Sequence, residues 1–324
     1  MKHRKINNSS RIIVLSALLF FASHAAAAEL RKITFGYSSI GPMMHGLWMA
    51  KEIGAFEKHG LEAQLVFIAS GPVVIQALLG GDLNAGLAAT SAVIGATAKG
   101  APIVAVANMA SRPYHRLWVQ PEINRVEDLR GKSLGITRFG SLPHNLTMIL
   151  LRKYGLANTV NMRQFGDTVG IAAAFDQHAI AGAVTSELRV RSPVKVLISL
   201  EDLGIAYSTN VIAVQRDYYR RFPNVVESMV RAYVEGVAAL KNDKNRALKV
   251  IAQYTRYTDP RFIESQYADS SHYLDRVPRV EKAAVAPILE FLEQKDLPLE
   301  TFADNSIVDR LVGEAYIDKF YSKY

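Results

Sequence analysis

The chain of 324 residues contains no cysteine. Disulfides, thiolate metal sites and cysteine nucleophiles are excluded, as is a lipid anchor on an N-terminal cysteine. The eight histidines show no metal-ligand spacing. There is no His-Glu-x-x-His pair, no Gly-x-Ser-x-Gly elbow and no phosphate-cradling glycine-rich loop. Neither catalysis nor a bound cofactor or metal is therefore expected. Beyond the first 28 residues no apolar run approaches the roughly 20 residues that a bilayer span needs. No internal repeat with a convincing period is found either.

Negative charge is missing from the N-terminus. Residues 1–28 carry Lys2, Arg4, Lys5 and Arg11 without one acid, then the apolar run Ile12–Ala22, then small residues ending Ala26-Ala27-Ala28. That order reads as a secretory signal peptide over 1–28, cleaved after Ala28 or Ala27, with an uncleaved anchor as the alternative. Removing those four basic residues from the chain's 38 leaves 34 against 30 acids, a charge of +4 in place of +8. No basic block remains, so no nucleic-acid partner is expected. An exported, unanchored chain without disulfides fits the periplasm.

What is present is a long alternation. Ile33–Tyr37, Glu62–Ile68, Asn84–Ala89 and Ile103–Ala107 read as strands, with helices between them near 43–54, 73–79 and 91–99. After an extended run at His115–Val119, a second block repeats the pattern. Its strands are Ser133–Ile136, Met162–Phe165, Gly182–Val184 and Lys195–Ile198, and Asn210–Val214 closes the series. From Asp217 onward the pattern is helical, through Val225–Leu240, Arg246–Tyr254, Pro260–His272 and Val280–Gln294. The length exceeds one ordinary domain, so two parallel-sheet lobes with a helical C-terminal portion are expected.

In open α/β sheets ligands sit beyond the carboxyl ends of strands. Here those loops read Ser38-Ser39-Ile40-Gly41, Ala69-Ser70-Gly71 and Ala89-Thr90-Ser91, then Thr137-Arg138-Phe139-Gly140-Ser141, Gly166-Asp167-Thr168 and Thr185-Ser186-Glu187. Each can present backbone N–H groups and a helix N-terminus to a negatively polarised group. Ser, Thr and Asp are also ordinary N-caps, which explains any one loop; the recurrence in both blocks is what points to a ligand.

An ordered set of short motifs runs through the chain: Gly36-Tyr37-Ser38, Met49-Ala50-Lys51-Glu52-Ile53-Gly54-Ala55-Phe56, Gln76-Ala77-Leu78-Leu79-Gly80-Gly81-Asp82, Asp128-Leu129-Arg130-Gly131-Lys132 and Gly135 to Ser141. Through these the chain resembles periplasmic solute-binding proteins of the nitrate/sulfonate/taurine type, the group with an SsuA/THI5-like or NMT1-like domain. The resemblance implies an α/β periplasmic-binding-protein type II fold, with two lobes, a hinge and a ligand clamped between. The crossings would lie near Gln120–Arg125 and Leu200–Ser208. Lobe 1 would then be discontinuous, 29–120 and 204–324, and lobe 2 would be 121–203. It also implies a monomer serving an ABC permease and ATPase complex. Relatives place Gly-x-Val/Ile-Asp-Ala where this chain has Gln177 to Ala183 without the acid, which leaves the ligand's identity open.

By that resemblance Ser39, Ile40 and Gly41 face the cleft, and the neighbouring loops add Ser70, Gly71, Thr90, Ser91, Gly140, Ser141, Asp167 and Thr185. Arg138, at a helix start, is the candidate for bidentate binding of a carboxylate or sulfonate, with a surface ion pair as its alternative. His45, one turn into its helix, is a further candidate, against a capped or solvated side chain. Arg112 and Arg116, near a crossing, read as structural and Trp48 as core. The expected ligand is a small organic anion. A neutral pyrimidine-like precursor would lean instead on Trp48, Phe139 or Tyr207. An exported sensor or docking protein has the same binding chemistry.

Overall fold

Short strands buried on both faces pair in parallel, with helices covering both sides. A computed structural model describes residues 29–321; the expected signal peptide, 1–28, lies outside the described residues. The strands are β1 (Arg31–Tyr37), β2 (Leu61–Phe67), β3 (Ala85–Ala89), β4 (Ile103–Asn108), β5 (Arg116–Val119), β6 (Ser133–Ile136), β7 (Asn161–Gln164), β8 (Gly182–Thr185), β9 (Lys195–Ser199) and β10 (Asn210–Gln215).

They form two five-stranded sheets, ordered β2-β1-β3-β10-β4 and β7-β6-β8-β5-β9. In the first, β1 runs parallel to β2 from Arg31 opposite Leu61 to Tyr37 opposite Phe67, and parallel to β3. In the second, β6 runs parallel to β7 and β8. Each sheet receives one antiparallel strand. Strand β10 lies between β3 and β4, and β5 lies between β8 and β9.

That pairing moves the first crossing. Arg116–Val119 belongs to the second sheet, with Leu117 opposite Val184 and Ile198. The chain therefore passes between lobes at residues 109–115, ahead of the expected Gln120–Arg125 and of the boundary at 120. The strand's partners lie 63 to 83 residues later, from Val119 opposite Gly182 to Arg116 opposite Ser199, beyond the reach of a local pattern. The return passage connects β9 to β10 through residues 200–209.

The helical portion, Pro223–Asn242, Lys244–Thr255, Pro260–Tyr273 and Lys282–Phe291, packs onto the first lobe and reaches the second. Helices His45–Glu52 and Pro223–Asn242 meet backbone to backbone. A Cβ on Gly236 would collide with the Gly46 carbonyl oxygen, and one on Gly46 would stand 2.7 Å from Val237 Cγ2. Only glycine allows that approach. Around the contact lie Phe35, Met43, Leu47, Trp48, Val230 and Tyr233, all buried. A second core joins the lobes: Val93 and Ile94 from lobe 1, Leu146 and Leu150 from lobe 2, and Val285 and Ile288 from the late helix share one apolar cluster. Among the described residues no helix is long and apolar enough to cross a membrane.

Candidate functional site

The carboxyl ends of the parallel strands in both sheets open onto one cavity of about 630 Å³ between the lobes. Ser38 to Ile40 follow β1, Ser70 and Gly71 follow β2, and Ala89 ends β3. From lobe 2 come Thr137 and Ser141 after β6, Asp167 and Thr168 after β7, and Thr185 to Glu187 after β8. This volume lies within the usual range for a small-molecule site.

Four helix N-termini border it, at Gly71, Thr90, Leu142 and Thr168. Two are capped by their own side chains: Ser141 Oγ accepts from His144 N at 3.4 Å, and Asp167 Oδ1 from Gly170 N at 2.8 Å. Ser70 behaves differently. It precedes its helix with φ +81°, a left-handed value costly for a residue with a Cβ, and its side chain makes no cap bond. Its Oγ is buried without a hydrogen-bond partner. His115 Nδ1 and Asn210 Oδ1, on two other buried lining residues, also lack partners. A buried polar group left unpaired costs about 1–3 kcal/mol, and three such groups belong to residues that line this cavity.

Besides Asp167, the charged lining residues are Glu187, Arg189 and Arg191, grouped along one stretch of the wall. Glu187 accepts from Gln266 Nε2 at 2.6 Å and from the Tyr257 hydroxyl at 3.5 Å, both on its Oε2. Burial pushes its carboxyl up to about 7, against the lowering pull of Arg189. The Arg189 guanidinium lies 4.0 Å from the Tyr257 ring centroid and 5.1 Å from that of Phe262. Beside it, Arg116 forms a forked pair with Asp269, at 3.0 and 2.9 Å, and donates to the Ser186 carbonyl at 3.1 Å. Asp269 and Gln266 stand on helix Pro260–Tyr273 of lobe 1, so this wall ties the lobes together. His115 is held neutral, its pKa pushed down to about 3 by burial and then by Arg116. Apolar Ile40, Phe67, Val169 and Phe262 are exposed along the cavity, at 42%, 42%, 75% and 37%.

Of the residues singled out in the sequence, Ser39, Ile40, Ser70, Gly71, Ser141, Asp167 and Thr185 line the cavity. Gly41, Thr90, Ser91 and Gly140 stand just behind that lining: a Cβ on Gly41 would meet Ser186 Oγ at 3.6 Å, and one on Gly140 would meet Pro72 at 3.7 Å. Thr90 Oγ1 is hydrogen-bonded to Ser208 Oγ at 2.8 Å, and Ser91 Oγ accepts from Asn145 Nδ2 at 2.5 Å, a bond between lobes. Three others lie elsewhere. Arg138 is exposed and outside the lining. His45 is fully buried, its ring centroid 5.0 Å from that of Trp48, with neither nitrogen partnered. Tyr207 is fully buried with an unpaired hydroxyl. Sequence reasoning passed over Glu187, Arg189, Arg191, His115, Asn210, Tyr257 and Phe262 as site residues. Glu187 alone had a local signal, as the acid closing a hydroxyl-bearing loop. Among the described residues no group of His, Cys, Asp and Glu could hold a metal ion.

Comparison with known proteins agrees with this architecture. The model of the NMT1/THI5-like family matches residues 42–247. A protein of Escherichia coli (strain K12) named for binding aliphatic sulfonates is 25% identical over 312 residues, 93% of each chain. The 4-amino-5-hydroxymethyl-2-methylpyrimidine phosphate synthase of Schizosaccharomyces pombe is 22% identical over 256 residues, 72% of this chain and 73% of its own. Among solved structures, the alkanesulfonate-binding protein SsuA from Xanthomonas axonopodis pv. citri, bound to MOPS, superposes with a TM-score of 0.68 at 20% identity. That superposition covers 84% of this chain and 96% of SsuA, and shows the periplasmic-binding-protein fold.

Proposed function

The chain belongs to the NMT1/THI5-like family, and from that premise we propose that it is the solute-binding component of an ABC importer, holding a small organic anion between its lobes. The observation that carries the reading is the convergence of strand ends and helix N-termini from both lobes on one cavity with unpartnered polar atoms in its walls. Helix N-termini favour anionic groups by about 0.3–1 kcal/mol each at exposed sites and more where partly buried. We place the anionic group against Ser39, Ser70, Gly71, Ser141 and Thr185, and the apolar body of the ligand along Ile40, Phe67 and Val169. An aliphatic or aryl sulfonate or carboxylate has both parts. Binding and release then need only a hinge motion of residues 109–115 and 200–209.

The protein would be exported by its N-terminal segment and work as a monomer in the periplasm, delivering ligand to a permease and ATPase complex. A sensor that presents the ligand to another receptor is the second reading for the partner. A neutral heterocycle, as the likeness to the pyrimidine synthase would suggest, is the rival ligand class. Purified protein titrated calorimetrically with ethanesulfonate, propionate, nitrate and a hydroxymethylpyrimidine tests the proposal. Saturable binding of the sulfonate or carboxylate is expected; binding of the pyrimidine alone overturns the anion reading.

A further inference from the structure

Helix Pro260–Tyr273 meets the second lobe and its return passage along one face. Phe262, Gln266, Asp269 and Tyr273 recur at steps of four, three and four, the spacing that lines side chains up on one side of a helix. Each has its own partner. The Tyr273 hydroxyl donates to Glu201 Oε2 in the return passage, and Asp269 takes the forked pair with Arg116. Gln266 donates to Glu187 Oε2 at 2.6 Å, and the Arg189 guanidinium lies 5.1 Å from the Phe262 ring centroid. Sheet register sets the partners in the same order. Arg116 stands opposite Ser199 on β9 and Thr185 on β8, so Glu201 follows one neighbour while Glu187 and Arg189 follow the other. Tyr257, just before the helix, doubles the outer contacts. Its ring centroid lies 4.0 Å from the Arg189 guanidinium, and its hydroxyl donates to Glu187 Oε2 at 3.5 Å.

These four contacts run from the hinge to the rim of the cavity. Tyr273 meets the return passage itself, and a rise of about 1.5 Å per residue puts Phe262 roughly 16 Å farther along the helix. Burial changes along the same line. Tyr273, Asp269 and Gln266 are buried, whereas Phe262 is exposed and the Arg189 side chain is 47% exposed. Rotation about the hinge displaces the farthest contact most, so the rim contact parts first. Its chemistry suits it to part and reform. A guanidinium stacked on rings spends no N–H group on its partner, so separation leaves no donor to be satisfied anew. We propose that helix Pro260–Tyr273 is a strap along one flank of the cleft, and that Arg189 against Tyr257 and Phe262 is its latch, holding the lobes together independently of any ligand. The proposal goes beyond the solute-binding reading, since it concerns how the cleft is held shut and not what enters it.

The chain has no cysteine, so Ser265→Cys and Ala173→Cys supply its only two thiols. Ser265 is exposed on the strap, and Ala173 is exposed on helix Thr168–Asp176 of lobe 2. Spin labels on both report the interlobe distance by pulsed dipolar electron spin resonance, with no ligand added. The labelled parent should populate a short distance, and Arg189→Ala should lower the ratio of short to long distances by about two- to fivefold, the range of an exposed cation–π contact. Phe262→Leu keeps apolar bulk without the ring and should shift the ratio the same way. The double variant should fall no further than Arg189→Ala alone, because the two changes remove one contact. Arg163→Ala removes a guanidinium stacked on Phe165 within lobe 2, at 5.6 Å, and should leave the distribution as it was. A parent found only at the long distance, an unchanged distribution in Arg189→Ala, or additive losses in the double variant overturns the latch. An equal shift in Arg163→Ala also overturns it, as general loosening. Melting temperatures report whether each variant is folded, and should Arg189→Ala melt early, the distribution of Phe262→Leu alone decides, an unchanged one being the contrary result.

Discussion

Replacing Ser70 separates strain from binding. Its φ of +81° costs about 1–3 kcal/mol for a residue with a Cβ. Its buried hydroxyl has no partner in the unliganded protein. Ser70→Gly relieves the strain, removes the hydroxyl and adds about 0.5–1 kcal/mol of chain entropy to the unfolded state. Ser70→Ala removes the hydroxyl but keeps the strain. Both variants lose one hydrogen bond to a charged ligand, worth about 1.5–3 kcal/mol, so both should bind the tightest anion of the series roughly tenfold to a hundredfold more weakly. Without ligand they should differ from each other. The glycine variant should be the more stable by about 1 kcal/mol, roughly 2–4 °C in melting temperature for a chain of this size. Calorimetric titration and thermal melts of the three proteins make the comparison. Wild-type affinity in both variants would refute the placement of Ser70 against the ligand, and an alanine variant as stable as the glycine variant would refute the strain argument.

Asp269→Asn cuts the forked pair that joins helix Pro260–Tyr273 to lobe 2 through Arg116. Breaking a buried pair costs up to about 3–5 kcal/mol, and the Arg116 side chain, 26% exposed, places this one at the low end. The variant should show a larger radius of gyration by small-angle scattering and weaker binding; an unchanged radius together with unchanged affinity would count against an interlobe clamp. Arg138→Ala should leave affinity within about threefold, because the side chain is exposed outside the cavity lining, and a loss of tenfold or more would place it on the ligand after all. His45 supplies a pH test. Its folded pKa, lowered by burial from 6.5 to about 3, means that the unfolded chain takes up a proton as pH falls below 6.5 while the folded chain does not until about 3. Stability should therefore decline across that window by up to about 1.4 kcal/mol per pH unit from this residue alone. His115 adds a similar slope, whereas Glu187, raised to about 7, contributes stability that is lost as pH rises from 4.5 through 7. Denaturant melts of the wild type and His45→Phe between pH 4 and 7 isolate the first term, and parallel curves for the two proteins would show that His45 does not stay neutral.

Local patterns carry the parallel sheets because each strand and helix writes its own period, and the strand-end loops are local too. Ser39, Ser70, Ser141 and Thr185 could be read as cavity-facing without knowing what stood opposite them, since the carboxyl ends of parallel strands in an open sheet point to one edge. The helical tail was equally legible from Val225 onward. What the tertiary structure decided is which side of each helix and which distant segment meets that edge. His45 and Arg138 both sit near helix starts, yet the close approach at Gly46 and Gly236 buries one, and the exposed loop before Gly140 leaves the other in solvent. Strand β5 joins the second sheet only because Leu117 finds Val184 and Ile198. Glu187 is held in the cavity wall by Gln266, 79 residues later, which folds back to bond one of its oxygens. No period in a sequence encodes such a meeting, for it is set by the packing of the late helix across both lobes.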